Sequence, residues 1–170
     1  MTKLSYPMKS VRWGLLILIA FVLLIGTVFY FQTALAAAEL TITPITWDII
    51  GLDSNDETSG PNHFPVGARV CNTGDEAATN VTSTFEWDSI NDDIYLRPGS
   101  LSDFTGSNAV PTLGVGACVD FYYEVEVDRN DSARDTDREY YITATADGLS
   151  TVSTPTPRKL FVEYLISQNR

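Results

Sequence analysis

The sequence predicts an all-β domain of two antiparallel sheets stacked face to face, behind an N-terminal apolar helix. Three observations carry this. From Glu39 onward apolar residues recur at every second position, in runs rich in Val, Ile, Thr, Tyr and Phe, which is the period of a half-buried strand. Helical spacing does not persist anywhere in that stretch, so no helix is at hand to cover a single sheet. The runs are punctuated by clusters of Gly, Pro, Asn and Asp, the residues that make turns.

Residues 1 to 12 hold Lys3, Lys9 and Arg12 and no acid, and Trp13 to Phe31 is a run of 19 residues without charge. This is the pattern of an export signal. Small residues three positions apart, Ala34 and Ala36 or Ala36 and Ala38, suit a signal peptidase, so residues 1–38 read as a signal peptide cleaved after Ala36 or Ala38. The alternative is an uncleaved membrane anchor, since the run is long enough to span a bilayer core of roughly 30 Å. Residues 39–170 form the folded domain.

Within that domain the clearest strand is Cys118 to Val127, where Val119, Phe121, Tyr123, Val125 and Val127 alternate with Asp120, Tyr122, Glu124 and Glu126. Similar runs are Leu40 to Ile50, Val66 to Asn72, Val81 to Trp87, Tyr140 to Ala146 and Leu160 to Ile166, with weaker ones at Ile94 to Leu96 and Ser150 to Ser153. About seven strands with no covering helix bury both apolar faces most economically as an immunoglobulin-like sandwich. Trp47, Phe85, Trp87, Phe121, Tyr123 and Tyr140 are the expected aromatic core.

Composition narrows the function. The chain has 170 residues with 22 Asp+Glu against 11 Lys+Arg, a net charge of −11. Three of the bases lie in the leader and every acid lies beyond it, so residues 39–170 carry 8 − 22 = −14. Clustered cations that neutralise phosphates are missing, which excludes nucleic acid as a partner and disfavours anionic membranes; contact with a membrane is expected only through the N-terminal segment.

Two cysteines in an exported chain are expected to pair. Alternation sets Cys71 with Gly67 and Arg69, away from the apolar row Val66, Ala68 and Val70; it sets Cys118 with Asp120 and Tyr122. Both thiols therefore face outward, unlike the buried bridge of antibody domains. Cys71 ends its strand and Cys118 begins its own, so an antiparallel neighbouring pair brings them together as a surface cross-strand disulfide. Its loop gives a chain-entropy stabilisation of roughly 4 kcal/mol.

The stretch Val70-Cys71-Asn72-Thr73-Gly74-Asp75-Glu76-Ala77-Ala78-Thr79-Asn80-Val81-Thr82 resembles the N-x-G…A-x-N-V signature of the bacterial conserved-repeat domain of unknown function, related to cell-adhesion-related bacterial domains. Leu113-Gly114-Val115-Gly116 is similar to that family's L-x-x-G turn, and Ala144-Thr145-Ala146-Asp147 to its closing strand. The resemblance implies an immunoglobulin-like fold in a secreted or surface protein and carries no catalytic residues. The long Asp88 to Ala109 loop, the two cysteines and the single copy depart from the family pattern.

Reactive constellations are missing. His63 is the one imidazole, and a loop packed by Pro61, Phe64 and Pro65 accounts for it without chemistry. Zinc would need ligands beyond one His and two bridged cysteines. No acid pair lies in a glycosidase motif, and the sequons at Asn80 and Asn130 match by chance. Asp128, Asn130, Ser132 and Glu139 follow an EF-hand count, but the flanks are strands and Ala133 stands where Gly is needed. Asp128, Asp131, Asp135 and Asp137 nevertheless crowd one loop, where a hard cation, calcium, or water would relieve their repulsion. Asp53, Asp56 and Glu57 are a weaker second cluster. The expectation is a secreted or cell-surface, non-enzymatic module for structure, display or adhesion, with other surface proteins or glycans as partners. The alternative is a calcium-assisted binding module using Tyr95, Phe104 or Tyr122 to stack on sugar.

Overall fold

A computed structural model describes residues 36–53, 58–103, 108–155 and 158–166, the backbone alone for 99–103. Residues 1–35, with the expected helix, lie outside these residues, whereas the expected cleavage positions after Ala36 and Ala38 lie within them. Among those described, no helix is long and apolar enough to cross a membrane.

Among the described residues ten strands form: β1 Leu40–Pro44, β2 Ile49–Asp53, β3 His63–Asn72, β4 Ala78–Trp87, β5 Ile94–Asp103, β6 Ala109–Leu113, β7 Cys118–Val127, β8 Thr136–Thr145, β9 Val152–Ser153 and β10 Arg158–Leu165. They make two sheets, one in the order β1-β3-β7-β5 and the other β2-β10-β8-β4-β6, with β9 beside β8. The all-β, two-sheet expectation is met. Three details differ from it. There are more than seven strands; β6 lies outside every expected strand run; and β2 runs parallel to β10, so the pairing is not wholly antiparallel.

The run Leu40 to Ile50 is two strands in different sheets. Pro44 ends β1, the Ile45 N–H still donates to the Gly67 carbonyl at 3.0 Å, and the chain then crosses over to β2. Thr46 supports the crossing by accepting the Gly67 N–H on its Oγ1 at 2.9 Å. Splitting one strand between sheets lets the same segment close the sandwich on both layers.

The core lies between the inner rows. Val66, Ala68, Val70, Phe121, Tyr123 and Val125 face Val81, Phe85, Tyr140, Ile142, Leu160 and Val162, all buried. Phe85 stacks on Tyr140 with ring centres 5.0 Å apart and meets Trp87 edge-on at 4.7 Å and Tyr123 at 5.5 Å. The Tyr123 hydroxyl donates across the layers to Ser83 Oγ at 2.7 Å, which satisfies both buried hydroxyls.

Candidate functional site

Trp47, expected in the core, is 87% exposed. It was expected inward as a large aromatic within the run Leu40 to Ile50, but that run is not one continuous strand and Trp47 sits in the crossover between its two halves. The residue after it is firmly anchored. Asp48 Oδ1 accepts from the Tyr140 hydroxyl at 2.8 Å and pairs with Arg158 Nη2, while Arg158 Nε donates to the same hydroxyl at 3.2 Å. Burial pushes the Tyr140 phenol up to about 12. The crossover is thus a rigid ledge carrying an exposed indole.

Two clefts flank the ledge. One, of about 290 Å³, is apolar and is walled by Ile45, Trp47, Ile50, Phe64, Val66 and Leu160. The other, of about 460 Å³, lies between Pro44, Trp47, Asp48 and Arg158. Of the seven large apolar side chains exposed among the described residues, five (Trp47, Ile49, Tyr164, Leu165 and Ile166) belong to this β2–β10 side. Leu165 lies across Gly51, where any Cβ would collide with it.

The structure brings the cysteines together. Cys71 and Cys118 are register partners on β3 and β7 and form a disulfide, with Cys118 exposed and Cys71 half-buried. Beside it lies Asn72, fully buried. Its Oδ1 accepts from the Glu39 and Gly74 N–H groups at 3.3 and 3.1 Å, and its Nδ2 donates to the Glu76 and Leu113 carbonyls at 2.7 and 3.0 Å. All four bonding positions of the amide are used. Gly74 is needed for close approach, because a Cβ there would strike the backbone of Ala37 and Glu39.

The acidic loop is arranged differently from a shared cation cage. Asp128 Oδ1 accepts from the Tyr95 hydroxyl at 3.0 Å, Asp131 pairs with Arg134 at 2.6 Å, and Asp137 pairs with Lys159 at 3.1 Å. Asp135 takes a left-handed φ of 55° and its N–H donates to Val162 at 2.8 Å. Asp131–Ala133 form a short 3-10 turn, capped by Asn130 Oδ1 on the Ala133 N–H at 2.9 Å. Among the described residues no three His, Cys, Asp or Glu side chains converge as metal ligands. Asp53 is described at the end of β2, whereas Asp56 and Glu57 lie outside the described residues.

The other expected site residues are scattered. His63 begins β3 rather than sitting in a loop; it is exposed, with Nε2 3.7 Å from Glu124. Tyr122 is half-buried over Gly67, Tyr95 is held by Asp128, and Phe104 lies outside the described residues. Sequence reasoning missed Arg138, whose guanidinium donates to the Ser89, Asn91 and Ile94 carbonyls and lies 4.2 Å from the Trp87 ring centre. Burial holds its pKa below the usual arginine value. A half-buried arginine within an alternating strand gives no signal that separates it from a surface charge.

No family model matches the chain, and no curated protein matches it in sequence. Three solved structures are distantly similar in shape. The secreted serine protease VesC from Vibrio cholerae is 10% identical over 74% of this chain and 23% of its own, with a TM-score of 0.43. The cupredoxin domain of amoB from Nitrosocaldus yellowstonii is 11% identical over 60% and 56%, TM-score 0.39. A family 123 glycoside hydrolase from Clostridium perfringens is 12% identical over 75% and 27%, TM-score 0.42. The chain therefore spans between about a quarter and about half the length of these structures.

Proposed function

We propose that this chain is an exported, non-enzymatic immunoglobulin-like module that recognises a surface partner through the β2–β10 side. The single observation that carries the reading is the concentration of exposed apolar side chains there: Trp47 stands on a ledge fixed by Asp48, Arg158 and Tyr140 beside an apolar cleft. Rigid sandwiches with a fixed apolar anchor suit recognition. The strand order supports the immunoglobulin-like type: β1-β3-β7-β5 faces β10-β8-β4, as ABED faces GFC, although the chain visits β5 before β6. The Cys71–Cys118 bridge supports an oxidising compartment. Fractionation of source cells with surface labelling tests the reading. The expected result is labelled, disulfide-bonded protein outside the cytosol; reduced, unlabelled cytosolic protein would overturn it.

A further inference from the structure

An edge strand offers unpaired backbone groups, and natural sheets guard such edges with proline, charge or brevity. Among the described strands, most of the edges are guarded in this way. β1 carries Pro44, the open half of β3 carries Pro65, β5 carries Pro98, β6 carries Pro111, and β9 is two residues long. β2, Ile49-Ile50-Gly51-Leu52-Asp53, has no proline and one charge, at its last position.

The direction of its free groups follows from one hydrogen bond. The Phe161 N–H donates to the Asp48 carbonyl at 2.8 Å, so the even-numbered residues bond to β10. By alternation Ile49 and Gly51 turn their N–H and C=O to the open side. No described strand pairs with that side. A strand laid there would have two faces. Side chains opposite Ile50 and Leu52 point inward to the apolar cleft walled by Ile50, Phe64 and Leu160. Side chains on the outer face meet Ile49, Leu165, which lies across Gly51, and the carboxylate of Glu163, the register neighbour of Gly51; Arg129 closes the far end of the strand, its Nη2 donating to the Asp53 carbonyl at 3.3 Å.

We infer that the open side of β2 takes up an extended segment of a partner protein as an added strand, apolar at inward positions and basic at outward ones. Strand addition draws affinity from main-chain bonds and specificity from alternate side chains. Charge selects the partner: residues 39–170 carry −14, so a second copy is repelled while a basic segment is attracted. The inference names the partner class for the recognition role proposed above and rests on that reading.

The test uses the purified chain and an acetylated, amidated heptapeptide of alternating lysine and valine, with amide exchange followed by residue. Saturating peptide should slow exchange at Ile49 and Gly51 by about tenfold or more, the worth of one hydrogen bond at each. The same peptide with N-methylated backbone should give no protection. Ile49→Pro, which installs the guard most other edges have, should weaken binding by about tenfold, with circular dichroism confirming an intact fold. Glu163→Gln should weaken it about twofold and flatten its salt dependence. Binding indifferent to N-methylation or to Ile49→Pro would overturn the inference. So would protection of Ile49 and Gly51 that rises with protein concentration alone, since a second copy would then hold the edge. The peptide result and cell fractionation are independent, so failure of strand addition and failure of the export reading are told apart.

Discussion

The buried amide of Asn72 donates to the carbonyl of Leu113 at 3.0 Å, tying the end of β3 to the end of β6 in the opposite sheet. The same side chain holds Glu39, Gly74 and Glu76, so one residue joins the domain's entry, a turn and both layers. Replacing it by Ala strands several backbone groups without partners. Asn72→Ala should cost about 3 kcal/mol, read as a lower urea midpoint with an unchanged slope. Asn72→Asp should cost no less, because it removes both Nδ2 donors and buries a charge.

Reduction of Cys71–Cys118 releases a loop with a sequence separation of 47. Chain entropy puts the loss at up to about 4 kcal/mol. Thermal melts with and without reductant, and of Cys71→Ser with Cys118→Ser, should fall together; a double variant as stable as the oxidised protein would show that the bridge contributes little.

Trp47 and Phe85 invert the usual expectation that the larger aromatic matters more for folding. Trp47 is exposed whereas Phe85 touches three rings across the core. Trp47→Ala should change stability by less than about 0.5 kcal/mol, while Phe85→Ala should cost about 3–5 kcal/mol. Equal losses would mean that the indole is sequestered in solution.

These contrasts mark what was legible in the sequence. β7 was read to the residue because both its edges are paired and Phe121, Tyr123, Val125 and Val127 of one face are buried, with Val119 partly so, and alternation never breaks. The cysteine pairing followed from the same parity. The crossover was missed although a signal was present. Buried Leu40 and half-buried Ile42 are even-numbered, Ile45, Trp47 and Ile49 slip to odd, and buried Ile50 and Leu52 return to even. β6 was hidden by Pro111, which demotes a run to edge status, and β5 by Arg97-Pro98-Gly99-Ser100, which reads as a turn but lies in a strand with shifted register. Which partner each acid of the loop meets was not legible, because one-dimensional crowding of Asp128, Asp131, Asp135 and Asp137 does not say that Tyr95, Arg134 and Lys159 lie beside three of them.

The pH range has two different limits. The hydrogen bonds from Arg69 hold the Asp120 carboxyl below the usual range. A depressed carboxyl pKa stabilises the fold above the ordinary value of roughly 3.9, and the effect is lost as pH falls through the lowered value. The pair is on the surface, so the loss is about 0–1 kcal/mol. Tyr140, raised to about 12 by burial, acts oppositely. Its neutral form is favoured in the fold, so its contribution is complete below the ordinary value of roughly 10 and is lost as pH climbs toward 12. Melts across pH 9 to 12 should fall for the wild type, and Tyr140→Phe should flatten that fall while lowering stability near neutrality by about 1 kcal/mol.

Calcium offers the last contrast. A cage needs several oxygens aimed at one point about 2.4 Å away, but Asp128, Asp131 and Asp137 spend their carboxylates on Tyr95, Arg134 and Lys159, and Asp131 is 85% exposed. Binding would have to break these pairs, including that of Arg134, whose side chain is 5% exposed and lies 5.3 Å from the Tyr164 ring centre. The melting temperature in millimolar calcium should therefore match that in chelator. Asp131→Ala should lower stability by uncovering the buried Arg134 charge, equally in both conditions. A melting point that rises with calcium, and a rise abolished by Asp131→Ala, would instead mean that the loop rearranges around the ion and that the four acids act together.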